Sequence, residues 1–161
     1  MILITRPARD GSHRPLIDQI RRHHPDAQIL TADYETSGPV RADGIAEGYD
    51  GRPLLAVCGI ADPESFRRSL LESGVTLLDL VRFPDHHWYG EDEIRELTQD
   101  ARQRGAAGLV TTEKDQMRIQ RLYRSPLPLW VLPIRLRLLT DEKVWRDRLA
   151  ALASHVKHEV A

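Results

Sequence analysis

Three short segments hold residue types able to do chemistry: Cys58-Gly59-Ile60-Ala61-Asp62-Pro63-Glu64, Phe83-Pro84-Asp85-His86-His87-Trp88-Tyr89 and Thr111-Thr112-Glu113-Lys114-Asp115. The second sets a carboxylate, Asp85, beside two imidazoles, which suits a general base with an orienting acid, or part of a metal site. The metal reading is the weaker one, because adjacent side chains on extended backbone point opposite ways. No residue is assigned as a metal ligand. The same stretch also reads as a polar loop in which Asp85 caps a turn and both histidines face water. The third segment gathers hydroxyls and charges at a helix start. There Thr111, Thr112 and Lys114 suit contact with an anion or nucleotide, while capping and local ion pairing would use the same atoms. Cys58 reads as a small core residue at a strand end rather than a nucleophile.

The elements that must position these segments alternate between two periodicities. Residues 1–5, 27–31, 54–58, 76–82 and 108–111 read as strands, followed by two more at 129–132 and 135–139. Leu54-Leu55-Ala56-Val57-Cys58 is continuously apolar, as a strand covered on both faces should be. Helical spacing predicts helices over residues 15–23, 63–73, 91–104 and 141–155, with a short one after Thr112. Asp62 and Pro63 supply an N-cap and first helical position, Phe66, Leu70 and Leu71 the buried stripe, and Gly74 a left-handed stop. Glu91-Asp92-Glu93 puts negative charge at the next helix start, and Ile94, Leu97 and Ala101 give its inward side. Thr112 with Asp115 makes a capping-box-like pair. Val144, Trp145, Leu149 and Leu152 are expected inward on the closing helix, and Trp130 in the core. Trp88 and Tyr89 read as bordering a pocket or the core edge. Residues 33–52, rich in Gly, Asp and Pro, read as a long loop or small hairpin.

This pattern predicts one α/β domain over residues 1–161, with a mainly parallel sheet, helices on both faces and a Rossmann-like three-layer build. Ligands of such sheets gather beyond the carboxyl ends of the strands, where all three segments fall.

Composition narrows the function further. The chain has 161 residues, 23 basic and 24 acidic side chains and a net charge of −1, which argues against a general nucleic-acid binder. Its single cysteine excludes an internal disulfide and cysteine-based zinc sites. No apolar run approaches the ~18 residues of a membrane span, so a cytoplasmic protein is expected. Residues 6–24 hold five arginines, three histidines and two aspartates, read either as a solvated helix face or as a patch for an anionic headgroup or phosphate. No lysine follows a glycine and no Gly-x-Gly occurs, so neither a Walker A loop nor a dinucleotide fingerprint is present. Nor is there a Gly-x-Ser-x-Gly elbow.

Taken together and in order, the three segments resemble the C-terminal half of the tetraacyldisaccharide 4'-kinases, the lipid A 4'-kinases of Gram-negative envelope synthesis. The likeness rests on Cys58-Gly59-Ile60 with Pro63-Glu64 and Phe66, on Phe83-Pro84-Asp85-His86-His87 with Tyr89, and on Thr111-Thr112-Glu113-Lys114-Asp115. Leu132-Pro133-Ile134-Arg135-Leu136 and the opening Ile2-Leu3-Ile4-Thr5-Arg6 extend it over nearly the whole chain. One departure is that Ala61-Asp62 stands where the family more usually has Gly-Asn or Gly-His.

The resemblance implies phosphoryl transfer from ATP, with Mg²⁺, to the 4'-hydroxyl of the lipid A disaccharide precursor. The reaction would take place at the inner face of the cytoplasmic membrane, with peripheral membrane contact. It assigns His86, with Asp85 beside it, to support a catalytic aspartate contributed by the family's other half. It leaves Thr111, Thr112 and Lys114 facing the same cleft. The family's N-terminal half, which carries the P-loop, the Mg²⁺ carboxylates and that aspartate, has no counterpart in these 161 residues. The expectation is therefore a lobe that is inactive alone, either a fragment of a longer kinase or the partner of a separately encoded N-terminal lobe. The alternative is a non-catalytic module of the same fold that binds anionic glycolipid or a partner protein.

Overall fold

The computed structural model describes residues 1–5, 13–140 and 142–158, with side-chain surroundings as far as residue 150. The chain separates into two compact units, Thr36–Ile134 and Met1–Glu35 with Arg135–Ala161. The α/β class and the mainly parallel pairing hold, but the strands are divided between two sheets instead of forming one.

The larger unit contains β3 (Val40–Arg41), β4 (Leu54–Cys58), α2 (Pro63–Glu72), β5 (Leu77–Arg82), α3 (Glu91–Gln103), β6 (Gly108–Thr112), α4 (Glu113–Ile119) and β7 (Leu129–Leu132). Its sheet runs in the order β3-β7-β6-β4-β5. The β7–β6, β6–β4 and β4–β5 pairs are parallel and the edge strand β3 is antiparallel to β7. Alternation along β4 builds the three layers. Leu54, Ala56 and Cys58 pack with Phe66 and Leu70 of α2 on one face. Leu55 and Val57 pack with Ile94, Leu97 and Ala101 of α3 and Ile119 of α4 on the other. All five β4 residues are buried, each large aliphatic one contributing about 1.5–3 kcal/mol.

Asp62 caps α2 by accepting the Ser65 N–H at 3.0 Å, and Pro63 occupies its first turn. Gly74 takes φ +80°, the left-handed stop expected after α2. Leu71 departs from expectation. It is 48% exposed, because a helical step of one residue past Leu70 turns the side chain about 100° off the buried stripe. The glycine-rich loop expected at residues 33–52 contains β3, a two-residue strand that sequence pattern is too short to reveal.

The smaller unit holds β1 (Ile2–Thr5), α1 (Arg14–His23), β2 (Ile29–Glu35), β8 (Arg135–Leu138) and α5 (Glu142–His158). β1 is parallel and β8 antiparallel to β2. β2 runs on through polar Asp33 and Glu35 because Ala32–Glu35 pair with β8, a long-range partner that local composition does not announce. In this unit only Ile4, Leu30 and Ala32 are buried among the described residues. A core that small leaves Val144 and Trp145 half-buried and Leu149 45% exposed, against the inward placement expected of them. Leu152 lies outside the residues whose side chains are described, as do residues 6–12 of the basic stretch.

Candidate active site

Parallel β4, β6 and β5 end at the same edge of the larger sheet, so the three chemistry-bearing segments meet there. Backbone bonds stitch the first two together. Phe83 N–H donates to the Cys58 carbonyl at 2.8 Å and His86 N–H to the Gly59 carbonyl at 3.2 Å. A side chain at Gly59 would crowd this junction. A Cβ there would sit 3.1 Å from the Pro84 carbonyl oxygen and 3.2 Å from both His87 Cβ and Tyr89 Oη.

His86 is held at φ +62°, the left-handed region, a conformation costing on the order of 1–3 kcal/mol for a non-glycine residue. Its N–H, shared between the Gly59 carbonyl and Asp85 Oδ1 (2.9 Å), fixes that turn. The side chain is 71% exposed, with Nε2 3.7 Å from Asp85 Oδ2. Asp85 Oδ1 also accepts from Lys114 Nζ at 2.7 Å. That bond, reinforced by the neighbouring imidazole, holds the Asp85 carboxyl below its ordinary range despite some desolvation. The carboxylate and its tether are therefore present at neutral pH, and are lost only as pH falls through the lowered value. Asp85 and His86 of the second segment and Lys114 of the third thus lie together.

The two histidines part company because the left-handed turn at His86 throws its ring outward. His87 faces inward. Its ring stacks on Phe83 with centroids 4.6 Å apart, and Nε2 lies 3.0 Å from Glu93 Oε2. The Glu93 carboxyl is lowered, first by the Gly90 N–H it accepts at 2.8 Å and then by His87. Neither histidine behaves as its neighbour does, and only His86 offers its ring to solvent.

Beneath this surface lies Asp115, fully buried. Oδ2 accepts from the Gly59 N–H and from the Thr112 hydroxyl, each at 2.9 Å. The Thr112 hydroxyl in turn accepts the Asp115 N–H at 3.1 Å, capping α4. The expected capping pair is present, but the carboxylate reaches across to β4 instead of back to its own N-cap amide. A continuous path results: the Asp115 carboxylate holds the Gly59 peptide, whose carbonyl holds His86. Arg118 Nη1 lies 3.9 Å from Asp115 Oδ1 and donates to the His87 carbonyl at 3.2 Å, with its guanidinium over Trp88. Burial and then the Asp115 charge push the Tyr89 hydroxyl far up, keeping it neutral, and both its oxygen and Asp115 Oδ1 are buried without a hydrogen-bond partner among the described residues. Trp88, by contrast, is 81% exposed.

Two sequence candidates turn inward. The Thr111 hydroxyl is buried and donates to the Val57 carbonyl at 2.8 Å. Thr112 spends its hydroxyl on Asp115, and Lys114 is engaged by Asp85. No group of three His, Cys, Asp or Glu side chains converges among the described residues. Cys58 is buried, and burial followed by the Asp115 charge pushes its thiol up to about 11. It is inert as a nucleophile near neutral pH. Glu93 and Arg118 are not sequence candidates, and Asp115 enters the sequence reading as a capping partner, since only assembly of the three loops shows what they tie together.

A family profile described as tetraacyldisaccharide-1-P 4'-kinase matches residues 3–154. The chain belongs to that family. Among the curated family members, the tetraacyldisaccharide 4'-kinase of Methylobacterium nodulans is 34% identical over 147 residues, covering 80% of this chain and 42% of its own. That of Methylobacterium sp. is 45% identical over 108 residues, 66% of this chain and 31% of its own. The chain thus spans between about a third and two fifths of these 4'-kinases. The crystal structure of LpxK from Aquifex aeolicus in complex with ATP shares the fold at a TM-score of 0.50 and 18% identity, covering 89% of this chain and 49% of its own. No helix among the described residues of this 4'-kinase family member is long and apolar enough to cross a membrane.

Proposed function

We propose that this chain supplies the Asp85–His86 face of a lipid A 4'-kinase. The reaction would move a phosphoryl group from ATP, with Mg²⁺, to the 4'-hydroxyl of the tetraacyldisaccharide precursor. The observation that carries the reading is the exposed His86 imidazole, set on a main chain locked by Gly59 and beside an Asp85 carboxylate anchored on Lys114. An imidazole so placed can hold a carboxylate presented from outside this chain in the orientation needed to accept a hydroxyl proton. Phosphate gripping and metal binding belong, in this reading, to a P-loop part that these 161 residues do not contain. Membrane contact would be peripheral, at the cytoplasmic face. α1 supports it, carrying Arg14, Arg21 and Arg22 with Leu16 47% exposed.

The test is a chimaera in which this chain replaces the matched segment of the Methylobacterium nodulans 4'-kinase. It should phosphorylate a tetraacyldisaccharide-1-phosphate acceptor. A folded chimaera that yields no 4'-phosphorylated product would overturn the proposal.

A further inference from the structure

We infer that the groove along α3 of the larger unit binds a small phosphate-bearing anion, at a place separate from the Asp85–His86 edge. The groove encloses about 620 Å³ between one face of α3 and residues 121–126, a size suited to a small ligand. Arg95 and Arg102 stand on its helical wall and Arg121 and Arg124 on the other, against a single carboxylate, Glu91. Its floor is apolar, with Ile94 buried and Leu122 half-buried, so water competes less well for the guanidinium groups than on open surface.

What sets the groove apart is that four arginines share one concavity, most of them without a carboxylate partner. Arg41, Arg52, Arg82 and Arg104 each pair with a carboxylate. In the groove Arg102 and Arg121 have no carboxylate partner among the described residues. Arg124 donates only to the Tyr123 carbonyl at 3.0 Å. Arg95 pairs with Asp92, a bond between side chains 71% and 82% exposed, which is weak and readily exchanged. The helix dipole accounts for a cation in the last turn of α3 at Arg102. It does not account for Arg121 and Arg124 facing it. Four arginines against Glu91 and the Asp92 partner of Arg95 leave this concavity net positive, on a chain of net charge −1, and an entering anion relieves their mutual repulsion. Planar guanidinium forks fit phosphate oxygens two at a time.

The test uses the 161-residue chain and inorganic pyrophosphate as probe, followed by calorimetry. Saturable binding is expected, with Kd below about 1 mM at low salt and weakening as salt screens the charges. The double variant Arg102→Gln/Arg121→Gln changes two exposed side chains and should bind at least about tenfold more weakly. The pair Arg67→Gln/Arg68→Gln on α2 removes the same charge elsewhere and should bind as the parent does. Circular dichroism confirms that both variants fold. A second arm uses phosphatidylcholine vesicles with and without phosphatidylglycerol. Retention on anionic vesicles that is lost in the groove variant, alongside pyrophosphate binding, would make a lipid phosphate the source. Pyrophosphate binding alone would make it a soluble ester. Absence of saturable pyrophosphate binding, or equal weakening in the α2 pair, would overturn the inference. None of these readouts depends on kinase activity.

Discussion

Replacing His86 by alanine in the chimaeric kinase should lower turnover roughly 10- to 10⁴-fold, the upper end being typical of general-base loss. In the proposed role, where the ring positions the carboxylate that takes the hydroxyl proton and does not hold the acceptor, the loss should fall on kcat. Stability should not follow it, since the side chain is 71% exposed and its removal opens no cavity. Removing His87 would be a poor substitute for this experiment. That ring packs on Phe83 and bonds Glu93, so its loss mixes folding with function. Steady-state kinetics of His86→Ala beside an unfolding curve separate the two. An unchanged kcat would assign the motif to structure.

The second large effect is expected at Asp115. Alanine there strips partners from the Gly59 N–H and the Thr112 hydroxyl together. The buried Gly59 N–H left unsatisfied costs about 1–3 kcal/mol and the part-buried Thr112 hydroxyl less, for a combined loss of about 2–4 kcal/mol in urea unfolding. Asparagine keeps an acceptor oxygen of the same shape and should cost less. Because Gly59 carries His86, amide exchange at Gly59 and His86 should quicken in Asp115→Ala more than at β7, which the carboxylate does not touch. A stability change within about 0.5 kcal/mol, the range of ordinary surface substitutions, would mean that Asp115 does not tie the three loops together.

The framework was legible where a single local rule decides it. β4 reads as doubly covered from five consecutive apolar residues, and the start of α2 from Asp62-Pro63. Failures came where a distant partner decides. β2 is lengthened by pairing with β8, and β3 exists only because β7 lies beside it. The division into two sheets reflects which strands find each other, which periodicity does not encode. At the site, sequence identified Asp85, His86, Lys114 and Thr112 by type. It could not tell that Thr111 faces the sheet interior, nor which histidine would turn to solvent. The left-handed turn at His86 settles the latter, and it arises from bonds to Gly59 and Asp85 that follow from two loops meeting. Asp115 reads as a cap because Thr112 lies three residues away. Its longer-range bond to Gly59 spans 56 residues of sequence.

The central claim is that this chain brings a positioned imidazole to a reaction whose phosphate grip lies outside it. The most direct measurement is transfer of labelled γ-phosphate from ATP–Mg²⁺ to tetraacyldisaccharide-1-phosphate by the purified 161-residue chain, alone and mixed with a separately produced P-loop-bearing half of a related 4'-kinase. The account predicts background alone and product in the mixture. Transfer by the unaided chain would contradict it.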